Sequence, residues 1–534
     1  MTNRPPSEIR YRDADEADAP AVTELFRTAY GEGYVHPQVY DPREVKRMIY
    51  DEDTLVLVAE HAPSGRIVGT AGVLFEMGAY SDLVGEFGRL VVDPDWRGRG
   101  IGHRLMDERL ARVGGRLHLG FVEVRVSTSH SARVSQAHGF FPVGALPQKL
   151  KFGNTREHAA LLVRTFGDAL MLRRNHPRII PEAHGLAETA LQGAGLSPDA
   201  IVDEQAAAYP PGNGHSIEEL TASGYSSVLR IERGRVRNRE VFGPQRLHYG
   251  LFRLEASDSR YVVAKRDDRV VGALGYMKDE VERHARVFEV VHTEDEVVHA
   301  LFDSLAQRCR EEHIMGAEVD VGAHATRMQR TLLECGYLPA AYVPVMALND
   351  VERVDVVKMY RLFEPLMDLP FNAPEPTHTV GLHVLERFRA RNLEPRIARA
   401  MQRLSICASL NEEQTHRLVT EFTARSVAQG ETVFAAGDPA DHMLLILDGD
   451  VGVDFGGGFT GTVGPGECLG EVAFLNDTPH SGTAVAETPL EVGVLTRSGL
   501  EALVRRRPDI GTVVYRNLAR GLGAKLRRAD GLED

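Results

Sequence analysis

The early part of the chain carries short apolar runs of strand length, separated by turn residues. Leu55-Val56-Leu57-Val58-Ala59-Glu60 and Ile67-Val68-Gly69-Thr70-Ala71-Gly72-Val73 flank the polar Pro63-Ser64-Gly65, a pattern that predicts a β-hairpin. Leu90-Val91-Val92 is a third run, leading through glycines into Ile101-Gly102-His103-Arg104-Leu105-Met106, whose spacing is helical. Val122-Glu123-Val124-Arg125-Val126 alternates as a strand does, and a short helix then ends in Ala137-His138-Gly139-Phe140-Phe141-Pro142.

The same order returns further along. Tyr261-Val262-Val263-Ala264-Lys265 and Arg269-Val270-Val271-Gly272-Ala273-Leu274-Gly275 repeat the hairpin, while Ala317-Glu318-Val319-Asp320-Val321 and Glu334-Cys335-Gly336-Tyr337-Leu338-Pro339 repeat the late strand and its helix ending. Two matches in one order imply a second copy of the same fold. The pattern changes after Pro365, Pro370, Pro374 and Pro376, which read as an extended linker. A helical segment over 382–404 follows, then short β-type runs parted by Gly-Asp turns, such as Met443-Leu444-Leu445-Ile446-Leu447-Asp448-Gly449-Asp450-Val451, which indicate a jelly-roll or β-roll.

Chemistry enters at Arg97-Gly98-Arg99-Gly100-Ile101-Gly102, between a strand and a helix. Glycines let main-chain N–H groups approach a ligand, and the helix start adds its positive end, so the turn suits a phosphate or pyrophosphate. No Gly-Lys-Ser/Thr follows, as a nucleotide-triphosphate loop needs, and the glycine spacing does not fit a dinucleotide fingerprint. Arg-x-x-Gly-x-Gly after a strand resembles the coenzyme A turn of the GCN5-related N-acetyltransferase (GNAT) family, and the flanking elements stand in that family's order. The resemblance covers roughly one domain of about 150 residues. It implies an α/β (α+β) acetyltransferase fold in tandem, with a GNAT domain over 1–154, a degenerate GNAT-like copy over 155–364, and a Pro-rich linker over 365–380. In place of the glycines the second copy has Val290-Val291-His292-Thr293-Glu294-Asp295-Glu296, whose carboxylates repel a pyrophosphate; it is expected to pack on the first copy and help wall its cleft.

The resemblance also implies site residues. Main-chain atoms of Val92, Arg97, Gly98, Arg99, Gly100, Ile101 and Gly102 would hold acetyl-CoA or another acyl-CoA. Glu86 falls where some relatives carry the carboxylate that takes the amine proton, and neighbouring Arg89 could hold it ionised. A main-chain N–H at about Val91 or Val92 would polarise the thioester carbonyl. Many relatives use a tyrosine four residues before the helix-ending Gly-Phe to protonate the thiolate; here that position is Ser135, leaving Ser129 and His130 as catalytic candidates. Tyr30-Gly31-Glu32-Gly33-Tyr34-Val35-His36-Pro37 suits a mobile lid over a cationic amine.

Downstream, Gly464-Pro465-Gly466-Glu467-Cys468-Leu469-Gly470-Glu471-Val472-Ala473-Phe474-Leu475 resembles the phosphate-binding cassette of the cyclic-nucleotide-binding domain. This resemblance implies an all-β jelly-roll domain with flanking helices over 381–534 and a cyclic AMP or cyclic GMP site at Gly470, Glu471, Val472, Ala473, His480 and Ser481, with Glu471 on the ribose hydroxyl. The family's cassette arginine is replaced in Thr478-Pro479-His480-Ser481, so a charge-assisted pair is missing, and helix amides with a protonated His480 are the remaining means of holding the phosphate.

A chain of 534 residues suggests about three domains, as these patterns require. No apolar run is long enough to span a membrane and Met1-Thr2-Asn3-Arg4-Pro5-Pro6 is no signal segment, so a cytoplasmic location is expected. The four cysteines, Cys309, Cys335, Cys407 and Cys468, are too scattered for a metal or disulfide framework and read as reduced, buried residues, with no metal site. A net charge of −14 and the lack of a helix-turn-helix after the last domain disfavour DNA. The combined expectation is an acyl-CoA-dependent N-acetyltransferase acting on a small-molecule amine or a protein lysine, under a cyclic-nucleotide sensor in a signalling role. The arrangement is similar, in reversed order, to cyclic-nucleotide-regulated lysine acetyltransferases. The alternative is a non-catalytic signalling adaptor that only reads these ligands.

Overall fold

A computed structural model describes residues 8–75, 83–153, 155–212, 214–220, 239–243, 259–391, 405–410, 412–419, 421–454, 456 and 460–529. The chain divides into one unit of Met1–Asp203 with Ala208–Leu385 and another of Glu204–Ala207 with Glu386–Asp534.

The first unit is built on one fifteen-stranded sheet. Its first half comprises β1 (Ile9–Asp13), β2 (Thr54–His61), β3 (Arg66–Leu74), β4 (Val84–Val92), β5 (Leu119–Arg125), β6 (Phe141–Phe152) and β7 (Thr155–Thr165). Helices α1 (Ala19–Tyr30), α2 (Pro42–Tyr50), α3 (Ile101–Val113) and α4 (His130–Ala137) cover it. After β8 (Arg178–Ile179), α5 (His184–Gly193) and β9 (Ile201–Val202), the second half runs through β10 (Ser216–Glu219), β11 (Val241–Phe242), β12 (Ser259–Arg266), β13 (Arg269–Asp279), β14 (His284–His292), β15 (Gly316–Gly322), β16 (Leu338–Asn349) and β17 (Glu352–Leu362). The order β1-β2-β3-β4-β5-β7-β6-β16-β17-β15-β14-β13-β12-β10 is two copies of one sheet set edge to edge. In each copy a single parallel pair interrupts antiparallel neighbours, β4 with β5 and β14 with β15. Strand β7 lies just past the sequence-expected boundary at 154, yet its pairing with β5 and β6 makes it part of the first half. An apolar run gives no sign of which sheet half it joins.

The copies repeat an irregularity as well. Pro147-Gln148-Lys149 bulges opposite His158, and Pro344-Val345-Met346 bulges opposite Asp355. The central residues take positive φ, 56° at Gln148 and 51° at Val345. The Gln148 amide donates to His158 Nδ1 at 3.0 Å and the Val345 amide to Asp355 Oδ1 at 2.9 Å. Ala341 and Gly144 form the pair that joins the halves, and a Cβ on Gly144 would stand 2.1 Å from the Ala340 carbonyl oxygen. Only glycine permits that approach.

Beside this seam lies a buried charge network. Lys149 reaches Glu123 at 2.5 Å and Glu318 at 3.6 Å, while Lys358 meets Glu318 at 2.9 Å and Asp320 at 2.6 Å. Burial opposes ionisation of Glu318, but Lys149, Lys358 and Arg286 outweigh it and hold its carboxyl well below the usual range. The Pro-rich stretch is a docked strap rather than a free linker. Asn372 donates from its amide to Val126 O at 2.6 Å and from Nδ2 to Ser127 O at 3.1 Å, and Phe371 is buried.

The second unit holds two four-stranded antiparallel sheets made from β18 (Phe422–Val427), β19 (Thr432–Phe434), β20 (His442–Asp448), β21 (Val451–Asp454), β22 (Thr460–Val463), β23 (Cys468–Leu469), β24 (Thr483–Ala486) and β25 (Leu490–Thr496). Val433, Leu444, Ile446, Val451 and Val492 are among the residues of one core. The helices Arg497–Arg506 and Pro508–Ala529 contribute Leu500, Leu503, Ile510 and Val514 to another. Of the helical segment expected over 382–404, Thr377–Arg391 is helical and 392–404 lies outside the described residues. Cys309, Cys335 and Cys407 are buried thiols, whereas Cys468, expected buried, is half-buried on its two-residue strand. Among the described residues no helix is long and apolar enough to cross a membrane.

Gly144→Val is expected to lower unfolding free energy by about 1–3 kcal/mol, the usual cost of overpacking, read from the denaturant midpoint. An unchanged midpoint would show that the seam between the copies carries no strain.

Candidate active site and nucleotide cassette

β4 and β5 pair over three rungs, Val84 with Leu119, Gly85 with Gly120 and Glu86 with Phe121, and then part. Glu86 therefore stands at the apex of a V. Beyond it β4 bulges: Thr70 faces Val91 and Gly72 faces Gly88, so Arg89 and Leu90 oppose the single residue Ala71. Arg89 takes φ 54°, a left-handed value that costs a non-glycine residue about 1–2 kcal/mol. Gly88 makes room for the carboxylate, since a Cβ there would lie 2.8 Å from Glu86 Oε1. The expected pairing of Arg89 with Glu86 is absent: no ion pair forms between them among the described residues. The bulge swings Arg89 across β3, where its Cδ lies 3.7 Å from the place of a Gly72 Cβ.

Arg109 of α3 pins the bulge from the other face of the sheet. It is 1% exposed, and its Nη1 donates to the carbonyls of Gly72 and Gly88, each at 3.1 Å. Burial with no carboxylate beside it lowers its pKa to about 9. Sequence reading passed over Arg109 because a lone arginine within a helix carries no motif.

At the open end of β4 the short turn Pro94–Trp96 leads into the glycines. Gly98 and Gly100 have φ 76° and 79°, and nothing lies within 4 Å of a Cβ on Gly98. Gly100 is the N-cap of α3, and Arg104 N is the first helix amide to reach a carbonyl, Gly100 O at 3.1 Å. The amides of Ile101 and Gly102 thus stand at the unsatisfied end of the helix. Arg99 lies over the Trp96 ring at 4.6 Å, and Arg97 Nε donates back to Val92 O at 3.3 Å. The turn suits a pyrophosphate: the amides of Ile101 and Gly102 lie at the helix start, the space beside Gly98 is open, and Asp93 is tied to Arg66.

The segment expected to be a mobile lid is tethered instead. Gly153 N, at the tip of the β6–β7 hairpin, donates to Gly33 O at 3.0 Å, and Tyr34 N donates to Tyr40 Oη at 2.9 Å. Tyr34 packs on Phe26, Tyr30 and Phe152. Its phenol is pushed up by burial, opposed by Arg89, and His36 is lowered to about 3 by burial and by Arg89. Tyr34, His36, Glu86 and Arg89 thus share one electrostatic neighbourhood. The charge of Asp279, on the second copy, acts on His36 as well. Ser129 precedes α4 without making a side-chain cap, and His130 is exposed. Ser135 is 2% exposed within α4.

In the second copy the V is filled. β14 and β15 pair over four rungs and part after Val287 and Val319; there β11 pairs with β15, Val241 with Val321 and Phe242 with Asp320. Gly243 follows so closely that a Cβ on it would lie 2.2 Å from Phe288 Cα. Phe288 is itself the bulged residue of β14, set edge-on to Tyr261 at 5.4 Å. Among the described residues no strand fills the V of the first copy.

In the second unit Gly470, at φ 82°, precedes the six-residue helix Glu471–Asn476. Glu471 and Ala473 are buried, Val472 is 49% exposed and Ser481 is exposed. His480 stacks on Phe434 with ring centres 3.7 Å apart and planes 9° from parallel, against Gly470, where a Cβ would lie 3.0 Å from its Cε1. Its Nε2 is shut from solvent without a hydrogen-bond partner, and burial lowers its pKa. The expectation of a protonated His480 meets a packed ring whose burial works against the charge. Phe434, which creates this stack, was not singled out in the sequence because nothing local ties it to His480.

Comparison with known proteins agrees with both regions. Residues 52–141 match the Acetyltransferase (GNAT) domain and residues 424–507 the Cyclic nucleotide-binding domain. The Cyclic AMP receptor protein of Thermus thermophilus is 34% identical over 126 residues, 23% of this chain and 56% of that protein. A cAMP-dependent protein kinase regulatory subunit of Yarrowia lipolytica is 30% identical over 106 residues, 20% of this chain and 28% of that one. The chain thus spans between about a quarter and just over half of the length of these relatives. The ribosomal-protein-S5-alanine acetyltransferase structure from Vibrio fischeri aligns at 18% identity and TM-score 0.27, over 30% of this chain and 95% of that one. The chain carries an N-terminal acetyltransferase domain of the GNAT type, within a large mixed α/β sheet, and a C-terminal β-rich domain of the cyclic-nucleotide-binding type.

Proposed function

We propose that the first copy is an acyl-CoA-dependent N-acyltransferase, with acetyl-CoA as donor and a primary amine as acceptor. The observation that carries this reading is the contrast between the two copies: one V is stopped by β11, and the other is left open with a glycine turn at its mouth. Free amides of Gly100, Ile101 and Gly102 would take the pyrophosphate, while Arg97 and Arg99 add positive charge around it. The donor supplies the activated thioester. The chain's residues order the rest. Glu86 at the apex receives the proton that an ammonium must lose, and a main-chain N–H of the β4 edge, near Val91 or Val92, faces the developing oxyanion. The amine nitrogen forms a C–N bond as the C–S bond breaks; the sulfur keeps the electron pair and leaves as a thiol once protonated, and the acceptor becomes an amide.

For the cassette, we infer a weak nucleotide site whose ligand must displace the His480 ring from Phe434. Glu471, with Gly470 and Ala473 beside it, would face the ribose. This site would set the activity of the first unit.

Thiol release from acetyl-CoA over a panel of amines tests the enzyme reading. Turnover should appear, and Gly100→Val, which forces a β-branched residue into positive φ, should weaken acetyl-CoA binding by at least tenfold (~1.4 kcal/mol). A thermal shift with acetyl-CoA but no turnover on any acceptor would favour an adaptor. Arg109→Met should unpin the bulge and lower kcat by about tenfold or more with little change in KM for acetyl-CoA; equal loss in both would mean that it only maintains the fold.

Calorimetry with cyclic AMP and cyclic GMP tests the cassette. Burial depresses the His480 pKa below its ordinary value, so the imidazole gains a proton less readily than a free one and binding should rise less on acidification than a protonated-His480 contact would require. His480→Arg restores a cation for the phosphate and should strengthen binding by tenfold or more, in line with ~1.5–3 kcal/mol for a charged hydrogen bond. No heat from that variant would mean that the pocket is purely structural.

A further inference from the structure

We propose that the acceptor is a small zwitterionic amine, with a carboxylate or similar oxyanion a few bonds from its nitrogen, and that Arg89 receives that anion. The inference rests on the acyltransferase reading and names the substrate class of that site.

The argument begins with an unpaid electrostatic demand. Arg89 Nε and Nη1 are shut from solvent and have no hydrogen-bond partner. Other arginines near the cleft are committed: Arg125 to Glu157 at 2.5 Å, Arg66 to Asp93 at 2.5 Å, and Arg109 to two carbonyls. Guanidinium nitrogens held from water without an acceptor are costly even on a half-buried side chain, and a fork of planar donors matches a carboxylate or similar oxyanion.

The second copy carries the opposite charges at these places. The strand registers on either side match Glu86 and Arg89 of β4 with Arg286 and Glu289 of β14. There Arg286 Nη2 donates to Asp320 at 3.1 Å and the Tyr261 hydroxyl donates to Glu289 at 2.8 Å. The closed copy finds partners for both positions within the chain, whereas Arg89 of the open copy keeps two buried nitrogens without an acceptor.

Position supplies the rest. Arg89 and Glu86 lie three residues apart on one strand, and both act on the Tyr34 phenol; Arg89 also acts on His36. Phe87, between them, points to the opposite face, where it packs on Phe140 and beneath Arg109. Glu86 lies by Gly88 and Arg89 by Gly72, its paired neighbour, so the two present a proton acceptor and an anion receptor on one face of the sheet, near the Tyr34–His36 segment. An ammonium at Glu86 with its own carboxylate at Arg89 satisfies both, and neutral His36 adds no competing charge. A long polycation would leave Arg89 unpaired and would be repelled by it.

Matched amine pairs that differ by one carboxylate test this: β-alanine against ethylamine, glycine against methylamine, and lysine against 1,5-diaminopentane, each with acetyl-CoA and thiol release as readout. The carboxylated member of the short pairs should have a kcat/KM at least tenfold higher, carried in KM. Arg89→Gln and Arg89→Met should collapse that ratio toward one, and Arg89→Lys should restore part of it. A ratio that is unchanged in Arg89→Gln, or a preference for the diamine, would overturn the proposal while leaving the acyltransferase reading intact. Should no amine turn over, that reading fails on its own, and the inference is read by calorimetry with N-acetyl-β-alanine and N-ethylacetamide in the presence of coenzyme A. Heat from the anion alone, lost in Arg89→Gln, supports the receptor, and equal or no heat overturns it. The melting temperatures of Arg89→Gln and Arg89→Met, read beside the kinetics, separate loss of recognition from loss of fold: a collapsed ratio at an unchanged melting temperature supports the receptor, and one that appears only with a lowered melting temperature overturns it.

Discussion

Everything functional in the first unit depends on the parting of β4 from β5 after three rungs. Strands that diverge leave main-chain donors and acceptors without partners, and such groups are costly unless water, protein or ligand satisfies them. The chain meets this constraint twice and resolves it differently. In the second copy it inserts β11, so that Val241 and Phe242 complete the ladder of β15 and an aromatic cluster closes the gap. In the first copy no strand among the described residues enters the gap, and a glycine turn stands at the strand's end, which is the geometry the proposed acyl-CoA site rests on.

The bulge at Arg89 sets which side chains of β4 flank that opening. A one-residue surplus on β4 reverses the side-chain alternation, so Glu86 and Arg89 reach the same face although they are separated by an odd number of positions. Holding it needs a device on the far side, and Arg109 bridges the carbonyls of Gly72 and Gly88 to supply one. The charge left on a buried guanidinium is a measure of how firmly the bulge must be kept. Without that bridge, a left-handed arginine would relax toward a regular ladder and take the carboxylate of Glu86 out of register with the V.

The sequence made the large features legible because they are periodic or local. The β2–β3 hairpin, the glycine turn and the cassette strand each sit within a few consecutive residues, and the second copy appears as the same order of runs. What stayed hidden depends on residues distant in sequence. Nothing in Val241-Phe242 says that it will enter another strand's gap, nothing in Arg109 says that it will meet Gly72, and Phe434 lies far from His480. The strap of Pro365 to Pro376 read as a linker because proline reports backbone shape and not docking; Asn372 and Phe371 decided the matter by bonding to β5's exit and burying an aromatic ring. The tethered Tyr34 segment has the same cause, since the Gly33 to Gly153 bond joins positions that no local pattern relates.

A common logic links the sites. Where a ligand group is absent from the chain's repertoire, the chain fills the space with its own apolar surface: Phe288 and Phe242 in the second copy, and the His480–Phe434 stack in the cassette. Self-filling removes unsatisfied polar groups and adds packing, so it is the stable end of such a site. The first copy has not taken that course. It keeps Arg89 with two buried, unpartnered nitrogens on the strand face that also carries Glu86, and under the proposal an entering anion relieves that cost. In the second copy the matching positions, Arg286 and Glu289, find partners in Asp320 and Tyr261, so the chain can satisfy charges at this part of the strand and at Arg89 does not.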